Sequence, residues 1–276
     1  MKTATVPNFF IVGAAKAGTT SLYHYLGTHP QIFMCRIKEP NYFCTDLNRS
    51  APLKWDDYLR LFRGVRDQPA IGESSVLYLA SGCAAKNMRT ALPNAKIIIV
   101  LRNPVDRGYS HFLMGVRQGF PSRNILELPD YVIDLGLYYA QVKRYLDEFP
   151  AQQRQILFYE DLQRDREAFV KRVFGFLGVD PDFRPPNLEK HFNEALVPRL
   201  KVLNDLFYKS GLFVGMRRFV RPEIKEVMRV ALFKAPRNQG TSKLTPDERR
   251  ALVRVFEPDI HRLEALLSRD LSHWLR

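Results

Sequence analysis

Cysteine is scarce in this chain. Cys35, Cys44 and Cys83 are too few and too scattered for a disulfide framework or a four-ligand zinc site. Reduced thiols in a cytoplasmic protein are the expectation. Long apolar runs are missing too: the longest near the start, Phe9 to Ala15, falls far short of the roughly 20 residues that cross a bilayer. No basic-then-apolar leader with a cleavage site precedes it, so no secretory signal is expected. Internal repeats, low-complexity tracts and a Gly/Ser linker are absent, which leaves one domain spanning 1–276. Acidic residues are outnumbered, 29 Asp plus Glu against 42 Lys plus Arg, for a net charge of +13. Such a field draws polyanions, whether nucleotides, nucleic acid, acidic glycans or a membrane surface. No helix-turn-helix, zinc-finger or RNA-binding aromatic signature accompanies the charge, so no nucleic-acid partner is expected.

What is present is an ordinary globular composition, 46% hydrophobic and 26% charged over 276 residues. Short β-branched or aromatic runs alternate with helical patterns. Phe9–Gly13, Ala70–Gly72, Lys96–Leu101 and Gln155–Tyr159 read as strands. Thr19–Leu26, Leu53–Phe62, Ala84–Leu92 and Val105–Val116 read as helices, the last opening after Pro104. Asp130–Phe149 carries Val132, Leu135, Tyr139, Val142 and Leu146 on one stripe and reads as one helix. The alternation predicts an α/β fold, a P-loop-like parallel sheet flanked by helices, over 1–180. Beyond Leu177 strand signals stop. Asn187–Leu206, Glu223–Leu232, Pro246–Phe256 (capped by Thr245) and Pro258–Leu267 predict a mostly helical C-terminal part, 181–276. Within it, Met216–Arg237 is rich in Arg and Lys, either a solvated helix face or a polyanion or peripheral membrane contact.

The first strand runs into Gly13-Ala-Ala-Lys16-Ala-Gly18-Thr19-Thr20-Ser21 and then a helix. A strand–glycine loop–helix gathers free N–H groups and the positive helix end at one spot, which suits a phosphate. The spacing nearly fits GxxxxGK[ST], but Thr19 follows Gly18 and the lysine sits inside the loop, as Lys16. A kinase or ATPase of this type also holds Mg²⁺ through an aspartate at a neighbouring strand end. Here Lys96–Leu101 ends in Arg102, which repels Mg²⁺ and attracts phosphate. The site therefore reads as one for an anionic nucleotide without a metal. A P-loop kinase or NTPase is the rival enzyme reading, and a basic nucleic-acid-binding protein the rival outside enzymes.

Both elements resemble the nucleotide-binding signatures of the PAPS-dependent sulfotransferases, enzymes that use 3′-phosphoadenosine 5′-phosphosulfate. Lys16-Ala-Gly-Thr-Thr-Ser-Leu22 is similar to the 5′-phosphosulfate loop of that family. Ile98-Ile-Val-Leu-Arg102-Asn-Pro-Val-Asp-Arg-Gly-Tyr-Ser110 is similar to its 3′-phosphate element. The resemblance implies that Lys16, Ala17, Gly18, Thr19, Thr20 and Ser21 hold the 5′ end. It gives Arg102 and Ser110 to the 3′-phosphate, and it makes PAP the product. Lys38-Glu39-Pro40-Asn41-Tyr42-Phe43 resembles the Lys-Glu-Pro-His-Phe-Phe segment of the heparan-sulfate-type branch, which implies Glu39 as the catalytic base. Gly72-Glu73-Ser74-Ser75 resembles that branch's Glu-Lys-Ser/Thr-Pro segment, with Ser74 in place of lysine and Val76 in place of proline. Phe158-Tyr-Glu-Asp-Leu162 and the segment from Leu263 to Trp274 look like bacterial members.

By this resemblance Lys16 stabilises the leaving phosphate oxygen, and Lys38 contacts the sulfuryl oxygens or tunes Glu39. His111 is the alternative base. Glu73 reads either as a second carboxylate near the acceptor or as a plain strand-end residue. His24 and His29 are expected to pack or cap around the first helix, and Tyr23, Tyr42 and Phe43 to fill core. The acceptor reads as a hydroxyl or amine of a carbohydrate, lipid, small metabolite or carrier-bound acyl chain. Its selectivity is assigned to loops within Cys44–Arg66, Gly115–Leu128 and Arg199–Gly240.

Overall fold

A computed structural model describes residues 5–47, 53–117, 124–190 and 244–276, with the backbone of 197–198 and 233–234. Five strands form one parallel sheet: β1 (Phe9–Gly13), β2 (Ile32–Met34), β3 (Ala70–Ser74), β4 (Lys96–Leu101) and β5 (Arg154–Phe158). Their order is β2-β3-β1-β4-β5. Every residue of β1, and of β4 from Ile97 onward, is buried, as expected for central strands covered on both faces. Ile11 lies opposite Ser74 on one side and Ile98 on the other. At Gly72 an added Cβ would come within 2.3 Å of the Phe9 ring, so glycine lets the β3 backbone lie against that ring.

Helices flank the sheet: α1 (Thr19–Leu26), α2 (Trp55–Leu59, continued by a 3₁₀ turn, Arg60–Phe62), α3 (Leu77–Ala80), α4 (Ala84–Ala91) and α5 (Pro104–Arg117). Further along come α6 (Asp130–Asp134), α7 (Tyr138–Glu148), α8 (Tyr159–Arg164), α9 (Arg166–Leu177) and α10 (Pro246–Leu267). α10 packs on α7 and α5. The closing segment is fastened to the sheet edge, since Trp274 is fully buried and its carbonyl accepts from Asn103 Nδ2 at 3.2 Å. No helix among the described residues is long and apolar enough to cross a membrane.

Several sequence expectations need correction. β2 and α3 are too short to carry a visible period. The stripe from Asp130 to Phe149 breaks into α6 and α7 at Gly136, where an added Cβ would sit 2.8 Å from the Phe256 ring. The missing Cβ leaves room for that ring, and glycine's low helix propensity favours a break here. Pro246–Phe256 and Pro258–Leu267 are one helix, α10, opened by the Thr245–Glu248 capping box. Pro258 costs it one backbone bond, yet Leu252, Phe256, Ile260 and Leu263 bury on both sides of the proline and carry the helix through. The helix expected over Asn187–Leu206 is a turn at 187–189, and Val197–Pro198 pairs antiparallel with Phe233–Lys234. Pro198 lacks the N–H an interior helical position needs. The rest of that stretch, Glu223–Leu232 and nearly all of the basic segment Met216–Arg237 lie outside the described residues.

Candidate active site

Because all strands of the main sheet are parallel, their C-terminal ends share one edge, where open α/β sheets bind ligands. Lys16 follows β1, Glu39 follows β2, Glu73 and Ser74 close β3, Arg102 follows β4, and Tyr159 follows β5. Residues far apart in sequence are thus delivered to one edge by topology alone.

The loop after β1 turns through two left-handed residues, Lys16 at φ 67° and Gly18 at φ 84°. Gly18 is required twice over. Its φ favours glycine, and a Cβ there would stand 2.8 Å from the Tyr159 ring and 2.9 Å from Leu162. It caps α1 without a side-chain bond, and no acidic residue occupies the first turn. The opening N–H groups of α1, around Thr19, Thr20 and Ser21, have no intrahelical acceptors. Thr19 is buried, while Thr20 and Ser21 are partly exposed. Ala17 is fully buried and its N–H reaches the Ala14 carbonyl at 3.3 Å, so it shapes the turn.

Arg102 closes the corner. Its Nη1 donates to the Lys16 carbonyl at 2.9 Å, and its guanidinium lies 4.6 Å over the Tyr159 ring. Lys16 Nζ meets Met114 Sδ on α5 at 2.9 Å. Ser110 and Met114 are four residues apart, so they share a face of α5, and Lys16 reaches the face that carries Ser110. The loop and the arginine form one cationic corner, and Ser110 lies on the face of α5 that Lys16 reaches. A phosphate-type anion fits the corner, since Lys16 and Arg102 bring positive charge beside a helix start whose first N–H groups have no intrahelical acceptors.

Beside it, the chain leaving β2 lies along β3. Glu39 N–H donates to the Ser74 carbonyl at 3.0 Å. The Glu39 carboxylate accepts the Val76 N–H on Oε2 at 2.8 Å and pairs with Lys38 Nζ on Oε1. Glu39 and Asn41 hold positive φ, 63° and 54°, so the segment is a tight, pinned turn with both side chains of the pair only partly exposed. Under it lies Glu73, fully buried, accepting from Tyr78 at 2.6 Å, Tyr58 at 3.1 Å and Ser75 at 3.5 Å. Burial pushes its carboxyl up to about 8, against the pull of the two tyrosine hydroxyls, and the nearby Glu39 charge adds to the rise.

His111 is buried on α5 with Nδ1 lacking a hydrogen-bond partner. Burial first, then the charges of Arg107 and Lys16, pull it down to about 4. A proton taken up there would add a third positive charge near two others, which disfavours it as a base. His29 is a packed residue, set against Phe174 and Phe183 with Nε2 at 3.0 Å from the Asp180 carbonyl. Sequence reasoning missed Tyr159, whose ring bounds Gly18 and carries Arg102, and Tyr58 and Tyr78, which hold Glu73. An aromatic residue directly after a strand end, as in Phe158-Tyr159, was the available signal for the first. Tyr58 and Tyr78 gave none.

A parallel sheet with a lysine-bearing glycine loop and an arginine-tipped neighbouring strand is an arrangement that suits a nucleotide-type anion. The family model "Sulfotransferase domain" matches residues 6–235, and the chain belongs to that family. A sulfotransferase crystal structure from Alicyclobacillus acidocaldarius is 33% identical, with a TM-score of 0.75 over 99% of this chain and 100% of that one. The membrane-associated sulfotransferase kil1 of Dictyostelium discoideum is 33% identical over 117 residues, 42% of this chain and 24% of that protein. Human heparan sulfate glucosamine 3-O-sulfotransferase 6 is 28% identical over 184 residues, 63% of this chain and 52% of that protein. The chain thus spans between about a quarter and about half of these two curated relatives' length.

Proposed function

We propose that this chain, acting as a single domain over 1–276, transfers a sulfuryl group from PAPS to a hydroxyl or amine of an acceptor. The observation that carries the proposal is the bond from Arg102 to the Lys16 carbonyl, which joins the two anion-gripping elements in one corner. When bound, PAPS supplies the sulfuryl group and a phosphate leaving group. Lys16, Gly18, Thr19, Thr20 and Ser21 hold its 5′ end, and Arg102 and Ser110 its 3′-phosphate. Fixed positive donors of this kind suit charge that gathers on leaving and equatorial oxygens. Glu39 removes the acceptor proton. The ion pair in the structure supports Lys38 as the residue that orients and tunes Glu39.

The name of the human relative, a heparan sulfate glucosamine 3-O-sulfotransferase, supports a carbohydrate acceptor. The net charge of +13 fits an acidic glycan or an acidic carrier-bound acyl chain. The free thiols of Cys35, Cys44 and Cys83 fit a reducing cytoplasm.

Thermal-shift titration tests the donor. Adenosine 3′,5′-bisphosphate in EDTA at 100 times its Kd is expected to add about 2.7 kcal/mol, a rise of roughly 5–10 °C in Tm. A rise only with ATP and Mg²⁺ would favour a kinase. No response to either, with steeply salt-dependent binding to duplex DNA, would favour a nucleic-acid-binding protein.

A further inference from the structure

Three side chains touch the Glu73 carboxyl, and each also touches one of three consecutive residues after Glu39-Pro40. Ser75 Oγ accepts the Asn41 N–H at 3.1 Å. The Tyr58 ring stacks on Tyr42, centroids 4.4 Å apart and planes 18° apart. Tyr78 Oη accepts the Phe43 N–H at 3.4 Å. Chain neighbours of Glu73 hold Glu39 itself, through the Ser74 carbonyl and the Val76 N–H. A strand-end carboxylate with no task would face solvent; this one is fully buried at the centre of the supports for the Glu39 turn.

We propose that Glu73 is a positioning residue for sulfuryl transfer: its buried carboxyl organises Tyr58, Ser75 and Tyr78 into a cradle that sets the place of Glu39. This rests on the reading of Glu39 as base. Among the described residues, the titratable groups interacting with Glu73 are Tyr58 from α2, Tyr78 from α3, Glu39 from the turn above, and Cys35 and Cys44 on the chain flanking that turn. The nearest cation in that turn, Lys38, is paired with Glu39. With its carboxyl near 8, Glu73 carries its proton at neutral pH and loses it in mildly alkaline solution. The negative charge, held by three hydroxyls but by no cation of its own, then sits beneath the Glu39 carboxylate and repels it.

The sign for stability agrees. The folded state keeps a proton that the unfolded state releases near the ordinary value of 4.5, so stability falls as pH rises from there to about 8.

The test is the pH profile of kcat for wild type, Glu73→Gln and Glu73→Ala, with bisphosphate Kd measured for each. Wild type is expected to lose kcat as pH rises through about 8. Glu73→Gln, a permanent mimic of the neutral acid, keeps the neutral-pH kcat and lacks the alkaline decline. Glu73→Ala loses roughly 100-fold in kcat, the order a displaced catalytic group costs, with Kd unchanged. The proposal is overturned if Glu73→Gln declines at the same pH as wild type, or if Glu73→Ala keeps full kcat. Should Glu73→Ala not fold, the Gln profile alone decides. Glu39→Gln run alongside separates the two readings: if it keeps turnover the base assignment fails, whereas an inactive Glu39→Gln beside unaffected Glu73 variants sinks only the positioning role.

Discussion

Glu39→Gln is expected to lower kcat by about 10²–10⁴-fold, the span a positioned general base contributes, while bisphosphate affinity stays near that of wild type. The two effects separate because the cationic corner and the Glu39 turn are built from different strands. Lys16 and Arg102 follow β1 and β4, whereas Glu39 is held by the end of β3 through Ser74 and Val76. Glutamine keeps an oxygen for the Val76 N–H, so the turn persists, but it gives up the charge that pairs with Lys38 and the ability to take a proton. Steady-state kinetics with a saturating donor, together with calorimetric titration of the bisphosphate, checks both halves. Normal turnover would remove Glu39 as base and return attention to His111.

Arg102→Ala is expected to weaken bisphosphate binding by about 1.5–3 kcal/mol, roughly 10- to 150-fold in Kd, the range for a hydrogen bond to a charged group. Arg102 spends one donor on the Lys16 carbonyl and has others left for an anion. Its loss also frees the loop carbonyl and the Tyr159 face, so some of the decrease arises from the loop losing its brace. Arg102→Lys separates the two contributions. Lysine keeps the charge but neither the planar fork nor the stacking on Tyr159, and it is expected to recover only part of the affinity. An unchanged Kd for Arg102→Ala would remove the 3′-phosphate assignment.

What could be read beforehand was local. The strand into Gly13, the loop through Gly18 and the helix from Thr19 to Leu26 stood at the expected places because period, glycine spacing and β-branched runs are written in adjacent residues. The arginine at the end of β4 was legible for the same reason, and the parallel pairing of β1 with β4 brought it to the loop. What depended on distant partners was not legible. Gly136 interrupts a well-formed apolar stripe where the Phe256 ring, over a hundred residues on, takes the space its missing Cβ leaves. Pro258 looked like a helix end and is not one, since burial on both sides of it outweighs one lost backbone bond. Glu73 read as an even choice between two roles because its meaning lies in Tyr58, Ser75 and Tyr78 and in the turn they support. A polar residue at a strand end announces its place, not its neighbours.

The most direct test is transfer itself. ³⁵S-labelled PAPS is incubated with the chain in EDTA and with pools of glycan, lipid, small-metabolite and acyl-carrier acceptors. The account predicts label moving to one of these pools with wild type and staying on the donor with Glu39→Gln. Label that remains on PAPS across every pool, with a chain that binds the bisphosphate normally, would contradict it.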